Sequence, residues 1–128
     1  MSTRILKRDE LAQMLREWQA GQVSTEQLLR WANALDLSDE VDFEDWEGDD
    51  SVTNEVLAAL DMLDMNLALP EDAPVYLAFL ATPSGQFQSG YAEYQRALSA
   101  VDLVSRRKKL RGVPLYERFL QNQPQQDA

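Results

Sequence analysis

Carboxylates are the chemistry this chain has most of, and they are crowded into one place. Nine of the sixteen residues in 36-DLSDEVDFEDWEGDDS-51 are acidic and none is basic. Three chemistries use such a cluster. A calcium loop of the EF-hand kind needs Gly at its sixth position, oxygen ligands at the first, third and fifth, and Glu at the twelfth. With Gly48 sixth, Asp45 and Glu47 fit, but Phe43 stands first and Asn54 twelfth, so the first and last ligands fail. A glycosidase-like acid and nucleophile needs two carboxylates whose environments push their pKa values apart. Carboxylate pairs are easy to find among 22 acidic residues, and nothing in the sequence separates one pair from the rest. A protein interface uses both halves of the composition: carboxylates steer a basic partner, and Phe43 and Trp46 supply apolar anchors. Set against that reading, Phe43 and Trp46 could instead tuck into the core and pin a solvated connector.

The rest of the composition narrows the choice. The chain contains no His and no Cys. That excludes a Ser-His-Asp triad, a Cys-His pair, a disulfide framework and any His- or Cys-ligated metal. Net charge is −10 and unevenly spread: residues 31–95 carry fifteen acidic and no basic side chains, whereas residues 96–128 carry seven basic and three acidic. An anionic field of this kind repels nucleic acid and anionic membranes and attracts basic surfaces. The first residues, 1-MSTRILKRDELAQ-13, lack a signal-peptide apolar run, and no stretch approaches the roughly eighteen apolar residues of a membrane span. The expectation is a cytoplasmic protein with no cofactor.

At 128 residues the chain suits one domain, able to bury about two-thirds of its unfolded surface. Leu11, Met14, Leu15 and Trp18 predict a helix over 8–20, stopped at Gly21. Ser24 and Gln27 form a capping box before a second helix over 25–36. Gly48 and the Asp cluster disfavour helix in the acidic stretch, and 51-SVTNEVLAALDMLDM-65 resumes helical periodicity behind a Ser51 or Asp50 cap. Asp72 and Pro74 open a short apolar fourth helix that ends near Thr82-Pro83. The segment 84–114 reads as one long C-terminal helix, because Phe87, Tyr91, Tyr94, Leu98 and Val101 are spaced 4, 3, 4, 3, a coiled-coil type of seam. Residues 115–120 dock as a short turn. No alternating strand pattern and no repeat is found. The fold expected is all-α, a single-domain bundle of about five helices over 1–120 with a disordered tail over 121–128.

The run 106-RRKKLR-111 could bind nucleic acid, but no aromatics interleave it and total charge is negative. A capped helix end folded back on the acidic residues 36–50 is the stronger reading.

Gly21-Gln22-Val23-Ser24 before a helix carrying Trp31, then a carboxylate-rich connector, then 56-VLAALDML-63, form a layout that resembles the small helical immunity proteins of bacterial toxin systems, the colicin D immunity type in particular. The resemblance spans residues 8–64. It implies a non-enzymatic inhibitor whose acidic surface occupies the basic substrate cleft of a nuclease toxin. The partner-binding residues expected are Asp39, Glu40, Asp42, Phe43, Glu44, Asp45, Trp46 and Glu47. The alternative expectation is a structural or regulatory helical protein that self-associates through the seam from Phe87 to Val101.

Overall fold

A computed structural model describes residues 4–38 and 40–121. Asp39 and, beyond Gln121, the expected disordered tail lie outside the described residues. The molecule is mostly helical. Among the described residues there are seven α-helices: α1 (Arg8–Gln19), α2 (Thr25–Asp36), α3 (Val52–Leu60), α4 (Ala73–Leu80), α5 (Phe87–Ser99), α6 (Leu103–Leu110) and α7 (Pro114–Gln121). Two small sheets accompany them. Strand β1 (Arg4–Leu6) pairs in parallel with β2 (Val41–Phe43), and β3 (Trp46–Glu47) pairs antiparallel with β4 (Asp50–Ser51).

Several predicted features appear as read. Ser24 and Gln27 form their reciprocal cap at α2: Gln27 N donates to Ser24 Oγ at 3.0 Å, and Ser24 N donates to Gln27 Oε1 at 2.8 Å. Ser51 Oγ accepts from Asn54 N at the start of α3. Trp18 is fully buried and its Nε1 donates to Thr25 Oγ1 at 2.9 Å, which ties the end of α1 to the start of α2.

Three expectations are corrected. The absence of strands fails at both sheets; β1 lies ahead of the first helical periodicity, and β2 lies inside the acidic stretch. The third helix ends at Leu60 rather than near Met65, and turns continue to Leu67, which takes the left-handed conformation (φ 56°). Asp61 and Asp64 would load the negative end of a longer helix with more negative charge. The single long C-terminal helix is two helices. Asp102 interrupts it, because its carboxylate accepts from Ser105 N at 3.1 Å and Ser105 Oγ at 2.8 Å and so starts α6 afresh. The expected short turn over 115–120 is likewise a helix, α7, so among the described residues the bundle has seven helices rather than five.

The core is continuous through α1 to α5. Leu6, Leu11, Leu15, Trp18, Leu28, Val56, Leu60 and Leu63 are its fully enclosed members. The Phe87–Val101 seam turns inward on α4: Phe79 stacks on Tyr94 with centroids 4.4 Å apart and planes 9° apart, and Phe87 stacks on Tyr91 at 5.5 Å. Each such pair adds about 1 kcal/mol beyond its buried area. The close approach of α4 and α5 depends on Gly90, where an added Cβ would lie 2.2 Å from Thr82 Oγ1 and 2.9 Å from Thr82 Cβ.

A smaller apolar cluster, Leu67, Leu110 and Tyr116 with Leu115 and Phe119, joins α6 and α7 to the turn after α3. Arg106 locks it. Its guanidinium is bidentate to Asp72 at 2.7 and 2.8 Å, with a further bond to the Leu67 carbonyl at 2.9 Å. Both side chains of the pair are about nine-tenths buried. The hydrogen bond that Arg106 donates to Asp72, and the Asp72 charge, raise the Arg106 pKa against the opposing effect of burial. The basic run thus folds back on residues 67–72, not on 36–50, because Asp72 is the carboxylate already held rigid at hand: it also accepts from Leu69 N at 2.9 Å. That bond replaces the α4 cap expected of it.

Two substitutions test this packing. Gly90→Ala should destabilise the fold by about 1–3 kcal/mol, as overpacking does, measured by chemical denaturation. Arg106→Gln should destabilise by about 3 kcal/mol by leaving a buried carboxylate unpaired, with hydrogen exchange rising first in α6 and α7.

Candidate functional site: the carboxylate face around Trp46

The acidic stretch is a built structure. Its side chains alternate along the chain: Val41, Phe43, Asp45 and Glu47 turn inward, while Asp42, Glu44 and Trp46 turn out. Val41 and Phe43 pack against the main core. Opposite them Leu6 of β1, in register with Phe43, is fully buried. This is a period of two, and it was missed because its third inward member is a carboxylate and its third outward member is Trp.

Asp45 explains the exception. One oxygen, Oδ2, accepts from Arg8 Nε at 2.9 Å, Thr53 Oγ1 at 2.9 Å and Thr53 N at 3.1 Å. The other, Oδ1, accepts from Ser51 Oγ. Arg8 also donates Nη1 to the carbonyls of Leu80, at 2.8 Å, and Thr82. One ion pair therefore ties the start of α1, the acidic stretch, the start of α3 and the end of α4. Burial alone would push the Asp45 carboxyl up; the hydrogen bonds from Ser51, Arg8 and Thr53 outweigh it and hold the pKa below the ordinary value. Asp45 is thus a positioning residue inside the fold, not a carboxylate free to steer a partner.

The β3–β4 hairpin follows. Its turn is Gly48-Asp49, and Gly48 has φ +65°, which glycine adopts without strain. Glu47 Oε2 accepts from Gly85 N at 2.9 Å, and Asp50 Oδ2 from Gln88 Nε2 at 3.3 Å, so the hairpin leans on the α4–α5 junction.

What remains outside is a small apolar patch among exposed carboxylates. Trp46 is 44% exposed. It stands edge-on to Phe43, with centroids 5.8 Å apart and planes at 74°. Its Nε1 donates to Asp42 Oδ1 at 2.9 Å, and the same oxygen accepts from Phe43 N at 2.8 Å. The bonds from Trp46 and then Phe43 lower the Asp42 pKa. Ile5, 42% exposed, sits in register with Asp42 on the neighbouring strand. Glu40 and Glu44 are exposed on the same alternation as Asp42, and Asp49 is exposed in the hairpin turn. Of the residues expected to bind, then, Glu40, Asp42, Glu44 and Trp46 share an open surface. Phe43 supports Trp46 from beneath, and Asp45 and Glu47 hold the backbone. Ile5 was missed, since nothing in Arg4-Ile5-Leu6 marks it for that side. Asp36 leaves the stretch altogether: burial and then a hydrogen bond with Asp61 raise its pKa at the end of α2. Asp45 and Glu47, the two that fit a calcium loop, serve different partners, and among the described residues no three His, Cys, Asp or Glu side chains are grouped to hold a metal ion. No helix among them is long and apolar enough to cross a membrane.

Asp45→Asn should destabilise the fold at neutral pH by about 2–4 kcal/mol, because Arg8 loses its countercharge. The folded carboxyl sits below its ordinary value of 3.8. Its contribution is therefore complete above that pH and is lost as pH falls through the lower folded value. Thermal melts from pH 7 to pH 2 should show that acid loss in the wild type and a smaller one in the variant. No protein family model matches this chain, and neither a curated protein nor a solved structure matches it.

Proposed function

We propose that this chain is a non-catalytic protein-binding module that takes a basic partner on the face around Trp46. In its most concrete form it is an immunity-type inhibitor that sets carboxylates where a nuclease toxin would take phosphates. The observation that carries the reading is an exposed Trp46, held by Asp42, with the exposed carboxylates Glu40, Glu44 and Asp49 in the same short stretch. A free loop would lose conformational entropy on binding; here the Asp45–Arg8 pair and the hairpin have already fixed the backbone. Trp is the residue most often found as an interface anchor, and rim carboxylates accelerate encounter with a cationic surface. The absence of any basic residue over 31–95 leaves this face without a counter-charge of its own segment. The second reading, a regulatory helical protein that self-associates through the seam, has less support, because Phe87 and Tyr94 are buried against α4 and Tyr91 and Leu98 pack on the same core.

The test is affinity capture from source-cell lysate at low and moderate salt. The immobilised wild type is compared with Trp46→Ala and with a variant carrying Glu40→Gln, Asp42→Asn, Glu44→Gln and Asp49→Asn. Asp45 is left intact so that the fold survives, which a thermal melt verifies. A basic protein held by the wild type should be lost by the four-site variant and released as salt rises. Trp46→Ala should weaken it about tenfold or more, the range of an interface anchor. An identical captured set for all three forms would overturn the proposal.

A further inference from the structure

A cavity lies apart from the residues of the Trp46 face. Between the turn after α3, the end of α5 and the start of α6 lies a pocket of about 290 Å³. Part of its wall is apolar, Leu98 and Val101 from α5 and the turn behind it and Leu103 from α6; Asn66 and the Asp72 carboxylate line it as well. Two phenols also line it. Tyr76 is 2% exposed and Tyr94 is 5% exposed. Neither hydroxyl has a hydrogen-bond partner among the described residues, yet no buried side-chain oxygen is left sealed and unpaired. Both hydroxyls must therefore keep an opening, and both residues line the pocket. Burial pushes the Tyr76 hydroxyl up to about 12 and raises Tyr94 as well, so each is a neutral donor at pH 7. At the mouth stand two arginines of different standing. Arg106 is neutralised by Asp72. Arg107 is half-buried and has no ion pair or hydrogen bond among the described residues.

We propose that this pocket binds a small amphipathic carboxylate, its apolar body along Leu98, Val101 and Leu103, its carboxylate on Arg107 and a phenol hydroxyl of Tyr76 or Tyr94. The chemistry of the lining selects that class. An apolar body alone would leave two phenols and a guanidinium without partners in a confined space, which is unfavourable. A large polyanion would not enter, since the volume lies at the lower edge of the roughly 300–1,000 Å³ of ligand pockets. Asp72 and Arg106 in the lining neutralise one another, which leaves Arg107 as its net charge, so a small anion is favoured there and repelled from the Trp46 face. The two sites are independent: one takes a cationic protein surface, the other an anionic small molecule.

Octanoate and octanol are the probes, with binding followed by calorimetry and by shifts of the Val101, Leu103 and Tyr94 resonances. Wild type should bind octanoate saturably, and bind octanol about tenfold more weakly, the worth of one charge-assisted hydrogen bond. Arg107→Gln touches no partner and should fold normally while its octanoate affinity drops to the octanol level. Tyr76→Phe should weaken octanoate several-fold, and Val101→Trp, which fills the pocket, should abolish both. The proposal is overturned by a lack of saturable octanoate binding, by octanol binding equally well, or by Arg107→Gln leaving octanoate unaffected.

Discussion

The pairing of Arg8 with Asp45 joins segments that no local propensity would bring together. Arg8 opens the first helix, and its guanidinium reaches both a carboxylate in the acidic stretch and two carbonyls at the end of α4. A guanidinium suits that position because its fork of donors serves several acceptors at once, which a lysine could not do. Those carbonyls are left over at a helix C-terminus, where a cation is electrostatically favoured. Asp45 meanwhile gathers four donors, one of them the backbone N–H of the first turn of α3. Such a pair is costly to desolvate and adds little net stability by comparison with apolar packing. What it supplies is uniqueness of place. With Asp45 turned inward, the strand period puts Asp42, Glu44 and Trp46 on the outer side.

A second pair repeats the device at α6. Arg106 and Asp72 hold the α6–α7 arm against the left-handed turn at Leu67, and Tyr116 adds a bond from its hydroxyl to the Ala68 carbonyl at 2.6 Å. Each arginine thus satisfies backbone carbonyls as well as a carboxylate, so neither is a simple surface ion pair of the kind that contributes little. The arrangement divides the charge of the chain into roles. Some carboxylates hold the fold, and the remainder are left to act outward. The basic run behaves likewise: Arg106 is structural, and Arg107, one position on, faces the pocket that Arg106 helps to shape.

Helix existence was legible wherever apolar periodicity and cap chemistry agreed. The first, second and fourth helices, the Ser24–Gln27 box and the Ser51 cap all follow from local rules that the folded chain obeys. The errors fall where a local signal was outvoted. The 4, 3, 4, 3 seam is real as an apolar face, but Asp102 ends one helix and begins another inside it, since a carboxylate at an N-cap satisfies free amides that an unbroken helix would not have. Three-residue strands carry too few alternations to register, and β2 is stabilised by β1 some thirty-five residues away.

By itself, then, the sequence determined the helical class, the caps and the segregation of charge, because each depends on residues within a few positions of one another or on composition alone. Only the tertiary structure decided which carboxylates face solvent. Asp42 and Asp45 are chemically identical and three residues apart, and no local rule distinguishes them. The difference comes from Arg8, Ser51 and Thr53, which meet at Asp45 once α1, α3 and α4 have packed. The same holds for the ion pair of Arg106 and for the open phenols of Tyr76 and Tyr94: whether a polar group finds a partner is settled by which distant segment arrives beside it.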